Sequence, residues 1–124
     1  MEIPKVTDGE LNIMRILWEQ GSMPATDIIK QLVVVKKWNR NTTYTFLNRL
    51  VEKGIVQRTE PGFQCEALYT QDEISVSETK DFLGKMYGGS ISRMVASFLG
   101  GDSVSPSDLK QLRQLIDSYE ERGE

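Results

Sequence analysis

Asn41, Thr42, Thr45, Asn48 and Arg49 are the residues whose types and spacing best suit chemistry with a ligand. Wound as a helix over residues 39–54, they fall on one side, while Thr43, Leu47, Leu50 and Val51 fall on the other. A solvated helix face ordinarily carries Glu and Lys; this one carries short amides, hydroxyls and a guanidinium, which suit base edges and phosphates. An Asn can bond both polar atoms of an adenine edge, worth about 1–3 kcal/mol of discrimination. The Thr methyls suit thymine methyls, and their hydroxyls suit phosphates. Each residue also has a structural use. Thr42 follows Asn39 at capping distance, either threonine can bond back to the preceding turn, and Arg49 can pair with Glu52 or Glu10.

The surrounding charge favours a polyanion. Between Lys36 and Arg58 there are six basic residues, Lys36, Lys37, Arg40, Arg49, Lys53 and Arg58, against the single acid Glu52. The whole chain of 124 residues carries 15 Lys+Arg and 18 Asp+Glu, a formal charge of −3, but residues 1–71 stand at +1 and residues 72–124 at −4. The acidity is confined to the C-terminal part, as expected if only the first part touches an acidic partner.

Composition removes other classes. There is no histidine, so the commonest general base and the usual activator of a Ser or Cys nucleophile are missing, and the single Cys65 allows neither an intrachain disulfide nor a Cys/His zinc site. No pair of carboxylates is placed to suggest a catalytic pocket, so the reading is a non-enzyme without metal or cofactor. No apolar run approaches the roughly 20 residues that span a bilayer, and Met1 to Asp8 does not have the form of a signal peptide. A cytoplasmic location without membrane contact is expected.

The elements that would position the polar face can be read in order. Thr7-Asp8-Gly9-Glu10 has the form of a capping box and opens a helix whose apolar positions Leu11, Met14, Leu17 and Trp18 end at Gly21. Ser22-Met23 is a candidate minimal strand, Ala25 to Leu32 a short helix, and Asn39 the N-cap of the third helix, which stops at Lys53-Gly54. Period-two alternation then takes over in Ile55 to Thr59 and Phe63 to Tyr69, with Pro61-Gly62 as the turn. Three helices and a hairpin make a winged helix-turn-helix, with Thr59 to Phe63 as the wing.

Residues 72–124 hold three amphipathic segments, Ser75 to Tyr87, Ser90 to Leu99, and one opened by Ser105-Pro106 with Leu109, Leu112, Ile116 and Tyr119 along its seam. Segments this short bury too little surface to be stable alone. They pack either on the first part of the chain or on a second copy, and a symmetric pair would match a palindromic site with two reading helices. The fold class is therefore mainly α with a small β-hairpin: a winged-helix DNA-binding domain at 1–71 and a three-helix dimerisation arm at 72–124. Phe82, Leu83, Tyr87, Met94, Phe98, Leu109, Leu112, Ile116 and Tyr119 are the expected dimer residues.

These residues resemble the penicillinase and methicillin-resistance repressors, which share a wider family with bacterial copper-responsive repressors. The likeness rests on Thr7-Asp8 with Glu10, Ile16-Leu17-Trp18, Trp38, the run Thr42 to Gly54, Tyr69-Thr70, Phe82-Leu83 and Ser92 to Leu99. It implies a homodimeric transcriptional repressor bound to double-stranded operator DNA, with Asn41, Thr42 and Thr45 facing the groove, Arg49 beside them, and Arg58 or Phe63 near the wing. Lys37, Arg40 and Asn48 complete the expected DNA-binding set. The copper-responsive branch carries paired cysteines near its C-terminus, and residues 100–124 contain none. Penicillinase-type repressors are inactivated by proteolysis at an Asn-Phe bond in the helix corresponding to Ser90 to Leu99. Here the bond is Ser97-Phe98, which makes it a candidate cleavage bond and a sensor-linked protease a candidate partner. The competing function is a winged-helix module that binds protein instead of DNA.

Overall fold

A computed structural model of the chain describes residues 2–122. Its elements are α1 (Asp8–Gln20), β1 (Met23–Pro24), α2 (Ala25–Lys36), α3 (Arg40–Glu52), β2 (Val56–Thr59), β3 (Gln64–Ala67), α4 (Gln71–Tyr87), α5 (Ile91–Leu99) and α6 (Pro106–Glu121). The chain is mainly helical with a small antiparallel hairpin. It divides into two compact units after Thr79, within α4. No helix among the described residues is long and apolar enough to cross a membrane.

In the first unit, the capping box at Thr7 forms: the Glu10 N–H donates to Thr7 Oγ1 (3.3 Å) and the Thr7 N–H to Glu10 Oε1 (2.9 Å). From that start, Ile13, Met14 and Leu17 turn inward to meet Ile28 and Leu32 of α2 and Leu47 and Leu50 of α3. Burying each such side chain contributes about 1.5–3 kcal/mol, so this cluster fixes how the three helices cross. Ile55, Val56 and Cys65 close it from the sheet, whose strands lie in the order β1-β3-β2. The register pairs Arg58 with Cys65 and Met23 with the other edge of Cys65, so Cys65 sits in the central strand. Burial pushes its thiol up to about 11.

One ion pair reaches the core of this unit. Glu10 is fully buried, and its Oε1 accepts from Lys53 Nζ at 2.7 Å, tying the first turn of α1 to the end of α3. Lys53 also donates to the Lys5 carbonyl at 3.0 Å. Burial raises the Glu10 pKa, but bonds from Lys53 and Thr7 outweigh it and hold the carboxyl below its ordinary value. Close by, α1 and α3 approach so tightly that a Cβ on Gly9 would stand 2.5 Å from Phe46 Cζ.

Two helix boundaries differ from the sequence reading. α2 continues a turn past Leu32 to Lys36, carrying Val33, Val34 and Val35 into solvent before Lys37 ends it in the left-handed region at φ +60. β-branched residues and the loss of apolar periodicity concealed that turn. α4 starts at Gln71 because Thr70 and Glu73 cap each other reciprocally, Thr70 N–H to Glu73 Oε1 at 2.8 Å and Glu73 N–H to Thr70 Oγ1 at 3.1 Å. Its first turns belong to the first unit: Ile74 is buried, and the Val6 N–H donates to Glu78 Oε1 at 3.3 Å. Trp18 Nε1 donates to the Tyr69 carbonyl at 2.9 Å beside them.

In the second unit, Gly88 and Gly89 end α4 with φ of +58 and +84, and Ser90 caps α5 by accepting from the Arg93 N–H at 3.1 Å. Ser105 and Asp108 form the capping box of α6, with Pro106 in its first turn. Leu83 is the one large apolar side chain buried among the described residues of this unit, whereas Phe98, Leu115, Ile116 and Tyr119 are half exposed or more.

Candidate nucleic-acid interface

α3 presents the polar face that its sequence predicts. Asn39 caps it, with Oδ1 accepting both the Thr42 N–H (2.8 Å) and the Thr42 hydroxyl (3.0 Å). The Thr45 hydroxyl donates back to the Asn41 carbonyl at 2.9 Å. Both structural uses foreseen for the threonines are therefore made, and what each still offers outward is a methyl group and an acceptor lone pair. Arg40, Asn41, Thr45, Asn48 and Arg49 are exposed, and Thr42 is half-buried. Thr43, Leu47 and Leu50 are buried on the opposite side, so the helix is anchored by one face and open on the other.

Arg49 pairs with neither acid considered for it. Lys53 holds Glu10, while the Arg49 guanidinium lies 5.5 Å above the Phe46 ring, which stacks on Trp38 at 4.9 Å between centroids. A guanidinium resting on a ring keeps its N–H groups for other acceptors. Lys37 is exposed at the turn between α2 and α3.

The wing adds Arg58. Its guanidinium lies 3.8 Å over the Phe63 ring and its Nε donates to Glu60 Oε2. Hydrogen bonding from Arg58 holds the Glu60 carboxyl below its ordinary range. Phe63 differs from the other expected contact residues in being buried, so its side chain supports the wing from inside, while Arg58 and Glu60 are exposed above it. A groove of about 500 Å³ runs beside them, lined by Thr26, Tyr44, Asn48, Arg58, Glu60 and Phe63. Tyr44 and Asn48 of α3 and Arg58 and Glu60 at the wing thus line one polar groove. The structural partners Lys53, Tyr44 and Glu60 were not singled out from the sequence for these roles; Lys53 was read as part of the basic run and of the stop of the third helix.

The residues expected at a dimer contact lie in the second unit. Leu83 is buried, Tyr87, Met94 and Leu109 are half-buried, and Phe82, Phe98, Leu112, Ile116 and Tyr119 are exposed. Ser97 and Phe98 stand near the end of α5, with Ser97 Oγ 3.2 Å from the Tyr87 hydroxyl. No group of three or more His, Cys, Asp or Glu side chains gathers to hold a metal ion among the described residues.

Residues 6–118 match the profile of a family described as Penicillinase repressor. The chain belongs to the penicillinase repressor family. This family consists of DNA-binding transcriptional repressors and not of enzymes, in keeping with the fold. The chain is 30% identical to a penicillinase repressor of Bacillus licheniformis over 98% of its own length and 96% of that protein's. It is 26% identical to the methicillin resistance regulatory protein MecI of Staphylococcus aureus, covering 90% of this chain and 93% of the relative. Among solved structures, the DNA-binding domain of the repressor BlaI in solution is similar at a TM-score of 0.53 and 29% identity, over 59% of this chain and 93% of that one. The Bacillus licheniformis BlaI monomeric form in complex with the blaP half-operator is similar at 0.52 and 28% identity, over 58% and 90%.

Proposed function

We propose that this penicillinase-family repressor acts as a homodimer that occupies a palindromic operator in the cytoplasm and blocks transcription there. The observation that carries the reading is the open face of α3, with Asn41, Thr45, Asn48 and Arg49 outward and continuous with Arg58 of the wing. Asn41 is the base-reading residue, through a paired contact to adenine, and Lys37, Arg40, Arg49 and Arg58 are phosphate contacts. Thr42 and Thr45 touch thymine methyls or phosphate with what their internal hydrogen bonds leave free. Phe63 acts from beneath Arg58. The BlaI relative binds a half-operator as a monomer, which supports one winged helix per half-site.

The two half-sites are joined by the second unit. Phe82, Leu83, Tyr87, Met94 and Phe98 from α4 and α5, and Leu109, Leu112, Ile116 and Tyr119 from α6, form the surface on which two copies pack. Repression ends when a sensor-linked protease cuts Ser97–Phe98, which severs α6 from the rest of the arm. Cleavage at that bond requires the last turns of α5 to unwind, since proteases act on extended chains. Binding to DNA from the protein's own upstream region, titrated against random DNA of equal length at several salt concentrations, tests the reading. Selective, salt-dependent binding by a dimer is expected. Equal weak binding to both DNAs would point instead to a protein partner.

A further inference from the structure

Four side chains form a ladder from the reading helix to the wing. The Arg40 guanidinium lies 5.5 Å from the Tyr44 ring, Tyr44 and Phe63 have their centroids 5.8 Å apart, and Arg58 lies 3.8 Å above Phe63. All three distances are within the range of direct cation–ring or ring–ring attraction. The lower rung is held firmly. Phe63 is buried at φ +50, an uncommon conformation for a bulky residue, and its carbonyl accepts from the Ala25 N–H at 2.9 Å at the start of α2. At the outer end, Glu60 takes the Arg58 Nε, and the terminal amino groups of the guanidinium have no hydrogen-bond partner among the described residues.

An unheld arginine pays rotamer entropy whenever it meets a phosphate, whereas one lying on a ring has paid part of that in advance. Arg40 and Arg58 come from different elements, and the Tyr44–Phe63 pair is what separates them. We infer that Tyr44 and Phe63 are positioning residues that set the spacing of two phosphate contacts, Arg40 on α3 and Arg58 on the wing, so that both engage the DNA backbone of one half-site. This rests on the DNA-binding reading above. Tyr44 touches no base in this account; it acts through the two guanidiniums.

The test uses the full chain and a duplex enriched by the wild type from a random-sequence library. Affinity is measured against salt concentration for Tyr44→Leu, Tyr44→Phe and Arg40→Ala/Arg58→Ala, and for Tyr44→Leu added to that double variant, with thermal unfolding in parallel. Tyr44→Leu is expected to bind about tenfold more weakly and to lower the salt slope by about one to two phosphates, as loss of the arginines does. Tyr44→Phe keeps wild-type affinity, and Tyr44→Leu costs nothing further once both arginines are gone. Tyr44→Met, which keeps apolar volume and loses the ring face, serves the same comparison if Tyr44→Leu unfolds the wing. A folded Tyr44→Leu with unchanged affinity and slope overturns the inference. So does an equal loss in Tyr44→Phe, which would make the hydroxyl the contact, or a full loss on the arginine-free background. If the wild type enriches no duplex, the DNA reading itself fails, and the inference fails with it.

Discussion

The two units of this repressor solve the problem of burial differently. In the first, α1, α2, α3 and the hairpin enclose a common cluster, and Ile13, Met14, Ile28, Leu47, Leu50, Ile55 and Cys65 are wholly shielded. In the second, Leu83 is buried, but Ile91, Phe98, Leu99, Leu115, Ile116 and Tyr119 stand 49–64% exposed along α5 and α6. So much open apolar surface on short helices is what the proposed dimer would bury. The first unit folds around itself and spends its open face on polar groups. The second leaves its apolar residues exposed, and the sequence chemistry of each agrees: Asn and Thr on α3, Leu and Ile on α6.

The comparison can be broken most severely at α6. Ile116→Asp places a charge in the proposed dimer surface, and sedimentation equilibrium is expected to show a monomer. Losing the second half-site should weaken operator binding by roughly 10²–10⁴-fold, while the first unit keeps its helical signal and unfolding cooperativity. A dimer with unchanged affinity would assign the apolar face to something else. Next in size is the open face of α3. Asn41→Ala and Arg49→Ala should each cost about 1–3 kcal/mol of operator affinity with no change in thermal midpoint. Only Arg49→Ala should lower the salt slope, by about one. A lower midpoint in either variant would make that residue part of the fold.

Lys53→Met tests the charged group buried in the first unit's core. It leaves the buried Glu10 carboxylate without its cation, and a loss of about 2 kcal/mol in unfolding stability is expected. The sign of the pH dependence follows. A carboxyl held below its ordinary value adds stability above the unfolded pKa of about 4.3 and loses it as pH falls through the lower folded value. Denaturant midpoints of the wild type should thus decline below about pH 4.3, and Glu10→Gln should flatten that decline. The smallest effect is at Asn39. Replacing this cap by Ala should cost about 1 kcal/mol of stability, read from urea unfolding, and reduce DNA affinity only to the extent that the first turn of α3 frays.

Much of the fold was legible because periodicity and caps agreed. Thr7 with Glu10, Asn39, and Ser105-Pro106 each opened the expected helix, and Pro61-Gly62 turned the hairpin. The missed cap at Thr70–Glu73 was in principle visible, since it repeats the spacing of Thr7–Glu10, but the apolar stripe that would have confirmed it starts only at Ile74. The polar face of α3 was legible for the same reason as the core: the two faces of one helix are complementary. What could not be read is how residues far apart in sequence choose partners. Arg49 lies in the last turn of α3 and Lys53 caps its end, and only the crossing of α1 over α3 decides that Glu10 meets Lys53 and not Arg49. Tyr44 meets Phe63 only because the hairpin folds back beside α3.

The most direct test of the account is to determine the mass of the full chain in solution while titrating it onto DNA from its own upstream region and onto random DNA, from low to high salt. A species of two chains that binds the upstream DNA selectively, with affinity falling steeply as salt rises, is the predicted result. A single chain that holds both DNAs with equal, weak affinity would contradict it.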